Sequence, residues 1–444
     1  MAFKDLDVWM NGQRVGVWFW TRGGTSSFRY DPAWTRSPDA RVLSLSLPFS
    51  SANQDLSGPE VEHYFDNLLP DSEIIRERLR RRFGSASTRA ADLLASIGRE
   101  CVGAVQLLPA DSPAPDVQSI QSKPISDAQI EALLASTHSS VASGITASSS
   151  HDFRISIAGA QEKTALLQIQ TPRGKRWHVP SGATPTTHIF KLPLGLVGNM
   201  RADMSDSVAN EWLCMTLLKH LGFAVANTEM AQFGDQKVLI VERFDRRWAS
   251  DQTWIARLPQ EDFCQATGTA GANKYEVDGG PGIKSGLTLL AGSQHAQADR
   301  LRFVLAQLAF WLMAATDGHA KNFSLFLERG GSYRMTPLYD VISAWPIIGA
   351  GKQQMHFKNA RLAMALRSKS AHYHLSEIQT RHFALLAKQS GVPGAFDEMV
   401  ALALQVPLAL SEAAELLPND FPMHVFGAIS KGMMAQAERF VQGL

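Results

Sequence analysis

Strand patterns crowd the first 256 residues of this 444-residue chain, and helical periodicities take over after them. A chain whose strands and helices segregate in this way belongs to the α+β class. The front opens with "DVWMNGQRVGVWFW" (7–20), where an Asn-Gly pair between strand-forming runs predicts a hairpin. "VLSLSLP" (42–48) alternates with period two and reads as a strand, while "DSEIIRERLRRRFG" (71–84) and "AADLLASIG" (90–98) read as short helices. "AVQLLPADSPAPDVQS" (104–119) runs from a strand into a linker, and 138–151 is a second polar loop. Next come strand, tight loop and strand in "FRISIAGAQEKTALLQI" (153–169), then a strand ending on a lysine in "THIFKLP" (187–193). A helix follows at 206–222, and a buried strand running into charge at "QKVLIVERFDRRW" (236–248). Helical patterns then hold 299–315, 376–390, 396–416 and 421–442, interrupted by a hairpin pattern at 323–340. The expected domains are a β-rich subdomain (1–115), a mixed β/α lobe (116–256) and a helical lobe (257–444).

Bulk properties remove several function classes. The 43 basic and 42 acidic residues leave a net charge of +1, so no global basic field recruits nucleic acid. Cys101, Cys214 and Cys264 are scattered, with no CxxC pair, which argues against a zinc knuckle or a disulfide framework. The N-terminus "MAFKDLDVWM" has no apolar stretch like a signal peptide, and the expected compartment is a reducing cytoplasm. The longest apolar run, "FVLAQLAFWLMAA" (303–315), is shorter than the roughly 20 residues that span a bilayer, so no membrane association is expected and the run reads as a buried helix.

The chemistry concentrates in "ATDGHAKNFSLFL" (314–326). Asp317 and Asn322 stand five positions apart, the interval of a kinase catalytic loop. In such a loop the Asp orients the acceptor hydroxyl and takes its proton, and the Asn binds Mg²⁺. A second metal-binding Asp is needed, and the hairpin pattern 323–340 ends on Asp340. His319 and Lys321 lie between them, where donors would neutralise phosphate charge. The five-residue interval alone also occurs in ordinary surface turns; the following hairpin with its Asp is what makes it informative.

Upstream segments carry the remaining parts in kinase order. "SIAGAQEKT" lacks the G-x-x-x-x-G-K-[ST] spacing of a P-loop, yet Gly159 and its neighbours lie between two strands, where backbone N–H groups could meet phosphates. Lys191 ends a strand and would reach the α- and β-phosphates, and Glu211 lies in the next helix, where a kinase places the lysine's carboxylate partner. Val241, Glu242, Arg243 and Phe244 sit where a hinge would hold adenine through backbone groups. Taken singly, these residues also read as a plain hairpin turn, a strand-edge lysine, a solvated helix face and a strand end, and the first two bland readings are the commoner ones; their order along the chain is what points to a kinase.

The stretches "YFDNLLPDS", "DFRISIAGAQEKTALL", "PTTHIFKLP", "VERFDRRW", "RLPQEDFCQ", "DGGPGI" and "TDGHAKNFS" resemble the HipA family, the serine/threonine-kinase toxins of bacterial type II toxin–antitoxin modules. The resemblance implies a bilobal protein-kinase-like (phosphoinositide-kinase-like) fold with an N-terminal β-rich subdomain, a mixed β/α N-lobe and an all-helical C-lobe. It implies ATP and Mg²⁺ as cofactors, and Asp317 as the catalytic residue with Asn322 and Asp340 as metal ligands. Ala158, Gly159, Ala160, Gln161, Glu162, Lys163 and Lys191 match phosphate contacts, Glu242 and Phe244 hinge contacts, and Gln260 a position near the nucleotide. Ser156 matches an autophosphorylated serine that switches the kinase off. The implied protein substrate is an aminoacyl-tRNA synthetase, namely glutamyl-tRNA synthetase, whose inhibition leads to growth arrest and multidrug tolerance. The implied partner is a HipB-like helix-turn-helix antitoxin, which carries the pair to operator DNA as a corepressed complex. The matching motifs thin out at 345–375 and in the last 30 residues, so no antitoxin- or DNA-contacting positions are carried over.

Two other functions use the same residues. A small-molecule phosphotransferase would share the catalytic parts and differ in its acceptor. A pseudokinase acting as a DNA-binding corepressor would touch phosphates through "RERLRRRFG" (76–84), a run that also suits a solvated helix face.

Overall fold

The Asn-Gly turn forms as the sequence predicts. Asn11 and Gly12 both take positive φ, 46° and 81°, the requirement of a two-residue hairpin turn. The structure, a computed structural model, describes residues 5–50, 52–110, 112–138, 163–198 and 200–444. The turn joins β1 (Leu6–Met10) to β2 (Gln13–Trp20), and with β3 (Ser26–Tyr30), β4 (Leu56–Ser57) and β5 (Val105–Pro109) they make a sheet of order β4-β3-β2-β1-β5. Helices Pro59–Asp66 and Ala90–Ile97 bury Phe65, Leu93, Leu94 and Ile97 in the core that also holds Leu6, Val8 and Trp18, and the Trp18 and Phe65 rings stack at 4.1 Å.

A second sheet has the order Thr228–Phe233, Gln236–Glu242, β9, β7, β8, β6, where β6 is Ser122–Pro124, β7 Lys163–Thr171, β8 Gly174–Pro180 and β9 His188–Lys191. Its core face, with Leu166, Phe190, Val238 and Ile240, meets Ile130 and Leu134 of helix Asp127–His138. The chain divides by its contacts into two units that are discontinuous in sequence. The first takes the described residues of Met1–Leu192, Ala231–Asn273 and Ser324–Tyr333; the second takes Pro193–Met230, Lys274–Phe323 and Arg334–Leu444. The expected 1–115 and 116–256 segments therefore share one unit, while helix Ser207–His220, expected in the mixed lobe, packs in the other. There Asn210 exchanges hydrogen bonds with the Ser343 backbone, at 2.8 and 2.9 Å.

The helices expected in the second half form at Ala296–Met313, Thr380–Ser390, Ala395–Glu415 and Met423–Gln442. Strands Ser324–Leu327 and Tyr333–Met335 flank a turn in which Gly330 and Gly331 have φ of 71° and 81°. Two departures have tertiary causes. The stretch 361–374 is a strand pair, Arg361–Arg367 with Ala371–His374, within a region expected to be helical. Its Ala365 N–H donates to Glu276 Oε2 at 2.7 Å, a bond that local helix propensity does not foresee. "VLSLSLP" is not a strand but a turn closed by the Ser44–Leu47 bridge. Its polar groups are claimed by Glu261, which accepts from the Leu45 N–H at 2.9 Å and contacts Ser44 Oγ.

Glu261 is fully buried, and that burial, opposed by the Ser44 and Leu45 hydrogen bonds, pushes its carboxyl up to about 8. The neutral acid suits its surroundings: it can donate to Ser44 Oγ, and Ser44 Oγ in turn lies 3.1 Å from the Gln265 carbonyl. Between the ordinary value of 4.5 and about 8 the folded chain holds a proton that the unfolded chain has released. Stability therefore falls as pH rises through this window, by up to about 1.4 kcal/mol per pH unit. Gln at this position keeps a donor toward Ser44 and an acceptor for Leu45. Glu261→Gln is expected to melt higher than the parent at about pH 8 and to flatten the pH dependence; parallel melting curves for the two proteins from about pH 5 to 8 would remove the assignment.

Among the described residues, no helix is long and apolar enough to cross a membrane.

Candidate active site

In the first unit, register decides which side chains share a face. Lys191 of β9 stands directly opposite Lys163 of β7 on one side and Leu239 on the other. Ile189 stands opposite Ala165 and Val241. Side chains alternate along strands, so Lys163, Lys191, Ala165, Ile189, Leu239 and Val241 share the face opposite to the helix-packed core. That face is an apolar floor with two lysines paired in register at one end.

The segment expected to form a hinge ends one strand and runs into a buried charge cluster. Glu242 ends its strand, exposed, opposite His188, and the Phe244 ring lies edge-on to Phe326 at 5.8 Å. Arg243, however, is buried: its side chain donates to Glu100, Thr186, Asp245 and the Cys101 carbonyl, all within 3.0 Å. Its N–H donates to the Thr187 carbonyl. Its guanidinium is thus committed to the protein interior rather than presented to a nucleotide. Gln260 pairs with Phe326, is nearly buried, and keeps its side-chain oxygen without a hydrogen-bond partner among the described residues. Ser156, Ala158, Gly159, Ala160, Gln161 and Glu162 lie outside the described residues.

In the second unit the candidate catalytic loop begins where helix Ala296–Met313 stops. Ala314 takes φ 50°, and Ala315 N–H returns to the Phe310 carbonyl at 2.8 Å. His319 N–H bonds the Asp317 carbonyl, Asn322 N–H bonds the His319 carbonyl, and Ala320–Asn322 make one 3-10 turn. Asn322 Nδ2 donates to the Asp317 carbonyl at 2.8 Å and reaches the Asp340 carbonyl at 3.5 Å. One amide nitrogen thus ties the candidate loop to the metal-ligand candidate and leaves Oδ1 as an acceptor. Asp340 adopts φ 60°, an uncommon conformation that concentrates at functional positions. Asp317, Asn322 and Asp340 line one pocket with Phe310, Ala315, Gly318, Val341 and Ile342.

Gly318 is there for space. A Cβ on it would come within 2.5 Å of the buried Phe310 ring, so any side chain would push the loop off the helix. The Asp317 side chain is 63% exposed, as a group that meets a protein acceptor must be, whereas His319 and Lys321 are buried. His319 Nε2 lies 3.9 Å from Asp317 Oδ1, and the Tyr339 hydroxyl donates to the Lys321 carbonyl. Glu211 is buried on helix Ser207–His220. Sequence reasoning missed Tyr275, whose hydroxyl donates to Asp317 Oδ1 at 2.5 Å. The signal available was a lone polar aromatic in "NKYEVDGGPG", directly before a motif already picked out for its glycines.

The residues fit the cofactors of a kinase. Asn322 Oδ1 and the Asp340 carboxylate are hard oxygen donors in one pocket, and Mg²⁺ is commonly held by one or two such ligands plus phosphates and water. The Lys163–Lys191 pair beside an apolar floor suits a nucleotide triphosphate.

The chain matches two family models, "HipA N-terminal domain" over residues 6–108 and "HipA-like C-terminal domain" over 155–407. It is 30% identical over 401 residues to "Putative kinase Y4mE" of Sinorhizobium fredii, covering 88% of this chain and 87% of the relative. It is 26% identical over 435 residues to "Serine/threonine-protein kinase toxin HipA" of Shewanella oneidensis, covering 94% and 91%. A solved complex of Shewanella oneidensis HipA, HipB and operator DNA matches with a TM-score of 0.78 at 24% identity, covering 98% of this chain and 97% of that one, and places the fold as protein-kinase-like. Two models of one family, over 6–108 and 155–407, with relatives aligned along most of the chain, leave one assignment: the chain belongs to the HipA family of serine/threonine kinases.

Proposed function

We propose that this chain is the kinase toxin of a toxin–antitoxin module, transferring the γ-phosphoryl group of ATP to serine on an aminoacyl-tRNA synthetase. The observation that carries the reading is the Asn322 amide, which joins the Asp317 and Asp340 backbones in one pocket and leaves oxygen ligands over. Lys163 and Lys191 hold the phosphates, with the 158–162 backbone as a further set of donors. Glu242 and Phe244 lie at the adenine end, and Gln260 offers a side-chain oxygen near it. Asn322 and Asp340 hold Mg²⁺, which when bound neutralises charge on the transferred group. The Asp317 carboxylate accepts the proton of the serine hydroxyl as its oxygen bonds to phosphorus, and ADP departs with the electron pair of the broken bond. His319 and Lys321 steady the charge around the loop.

By family resemblance the substrate is glutamyl-tRNA synthetase, the place of action is the cytoplasm, and the consequences are growth arrest and drug tolerance. A HipB-like antitoxin bound to operator DNA is the proposed partner; the Shewanella oneidensis relative was solved in such a complex. Ser156 is the proposed self-inactivation site. A phosphoserine there carries about −1.5 to −2 charge and would compete with ATP for the donors of the neighbouring loop.

The test is direct. The purified protein is incubated with Mg²⁺-ATP and a lysate of its own species, and new phosphoserines are mapped. The expected result is phosphoserine on a tRNA synthetase and, more slowly, on Ser156. Phosphate found only on small molecules would replace this reading with a small-molecule phosphotransferase, and no ATP turnover at all would leave a pseudokinase.

A further inference from the structure

We infer that Tyr275 is the positioning residue that fixes the carboxylate of Asp317 for phosphoryl transfer, an inference that rests on the kinase reading above. Its phenol donates to Asp317 Oδ1 at 2.5 Å across 42 residues of chain, and His319 Nε2 stands 3.9 Å from the same oxygen. One carboxylate oxygen is therefore occupied from within the protein. The other is the oxygen left to receive the acceptor's proton. A carboxylate that is mostly exposed has several rotamers to choose from, and a single donor on one oxygen selects among them.

A phenol at this place could also be a plug that occupies the acceptor's position and must swing away. The surroundings of Tyr275 favour a fixed residue. Its ring stands edge-on to the buried His319 ring, with centroids 5.1 Å apart and planes at 86°. Its carbonyl closes a turn by accepting from the N–H groups of Asp278 and Gly280. On one side of it, the Lys274 carbonyl accepts the Ala320 N–H of the catalytic loop. On the other, the nearly buried Glu276 accepts from Ala365 N–H and from the Arg367 guanidinium, pinning the segment to strand Arg361–Arg367. Gly282 leaves room for that carboxylate, since a Cβ there would lie 2.2 Å from Glu276 Cδ. Both neighbours of Tyr275 in sequence are thus anchored, one to the catalytic loop itself. This arrangement also gives the "KYE" and "DGGPG" residues a joint purpose, which is to hold a hydroxyl against the general base.

Tyr275→Phe removes that hydroxyl and keeps the ring against His319. The assay is transfer from γ-labelled ATP to lysate protein at varied ATP, run on the parent, Tyr275→Phe, Asp317→Asn and the double variant, with a fluorescent ATP analogue to read binding. Maximal transfer in Tyr275→Phe is expected to fall about tenfold, a fraction of the roughly 10²–10⁴-fold worth of a general base. The KM for ATP and the analogue's affinity are expected to stay unchanged, and the double variant is expected to be no slower than Asp317→Asn. Full or faster transfer by Tyr275→Phe, phosphate found on Tyr275 in the parent, a loss that comes with weakened ATP binding, or a double variant slower than Asp317→Asn each overturns the inference. Transfer at the parental rate by Asp317→Asn removes Asp317 as the general base, and this inference falls with that role; no transfer by the parent overturns the kinase reading instead.

Discussion

Asp317→Asn is expected to lower phosphoryl transfer by about a thousandfold while ATP binding persists, because a general base contributes roughly 10²–10⁴ and the amide cannot take a proton. The substitution is close to isosteric. The substituted amide would still offer an oxygen to the Tyr275 phenol, and the Asp317 backbone carbonyl that Asn322 holds at 2.8 Å is untouched. The loop should keep its shape, so loss of activity would report on chemistry rather than folding. The nucleotide candidates Lys163 and Lys191 belong to a different part of the chain, and affinity for an ATP analogue is expected to stay within about twofold of the parent. Transfer rate, analogue titration and melting temperature, measured on the same preparations, separate these effects. A variant that transfers at the parental rate would remove Asp317 from the catalytic role and with it the meaning given to the 317–322 interval.

That interval was readable from sequence because its chemistry is local. Asp317, His319, Lys321 and Asn322 fall within six residues, and the hairpin pattern after them announces where the next carboxylate arrives. Strand and helix periods likewise placed β1, β2, β7, β9 and the long helices, since one apolar face per element is a property of neighbouring residues. Long-range partnerships left no such trace. Tyr275 bonds Asp317 across 42 positions, and Ser44 meets Glu261 across 217, turning an alternating "VLSLSLP" into a tertiary turn. The "VERFDRRW" stretch marks the same limit. Its order in the chain suggested a hinge at 241–244 and said nothing of the side chains of Arg243, Asp245 and Arg246, which point into a buried network whose acidic partner, Glu100, lies 143 residues from Arg243. Nothing in a run of charges says that three of them are interior.

Replacing that acidic partner is expected to have the largest effect on stability of any single change in the first unit. Glu100 accepts from Arg243 and Arg246 through Oε1 and from Arg257 through Oε2 at 2.6 Å, while Thr186 donates to it through both N–H and hydroxyl. Asp245 takes the other ends of Arg243 and Arg246 and accepts the Gly103 N–H at 2.7 Å. Burial works to raise the Glu100 pKa, but attraction by Arg246, Arg257 and Arg243 outweighs it and holds the carboxyl well below its ordinary range. Arg246, desolvated and repelled by Arg243, is pushed down to about 10, so it remains charged at neutral pH. Three cations and two anions thus share one interior site that joins the loop before β5 to the 243–257 segment. Glu100→Ala would leave three buried guanidinium groups facing a single carboxylate. Breaking one buried pair costs about 3–5 kcal/mol, and here one residue serves three partners. The expected result is a fall in melting temperature of about 10 °C or more, or a first unit that does not fold at all. Glu100→Gln keeps the shape and some of the hydrogen bonds but not the charge, and should fall between Glu100→Ala and the parent. Acid gives an independent check. A carboxyl whose folded pKa is depressed lends its stability above the ordinary value of 4.5 and loses it as pH falls toward the folded value. The parent should therefore lose stability more steeply than Glu100→Gln on acidification below about pH 4.5, so the two melting temperatures converge. Equal melting temperatures for parent and Glu100→Ala at neutral pH would mean that the interior charges are satisfied without Glu100.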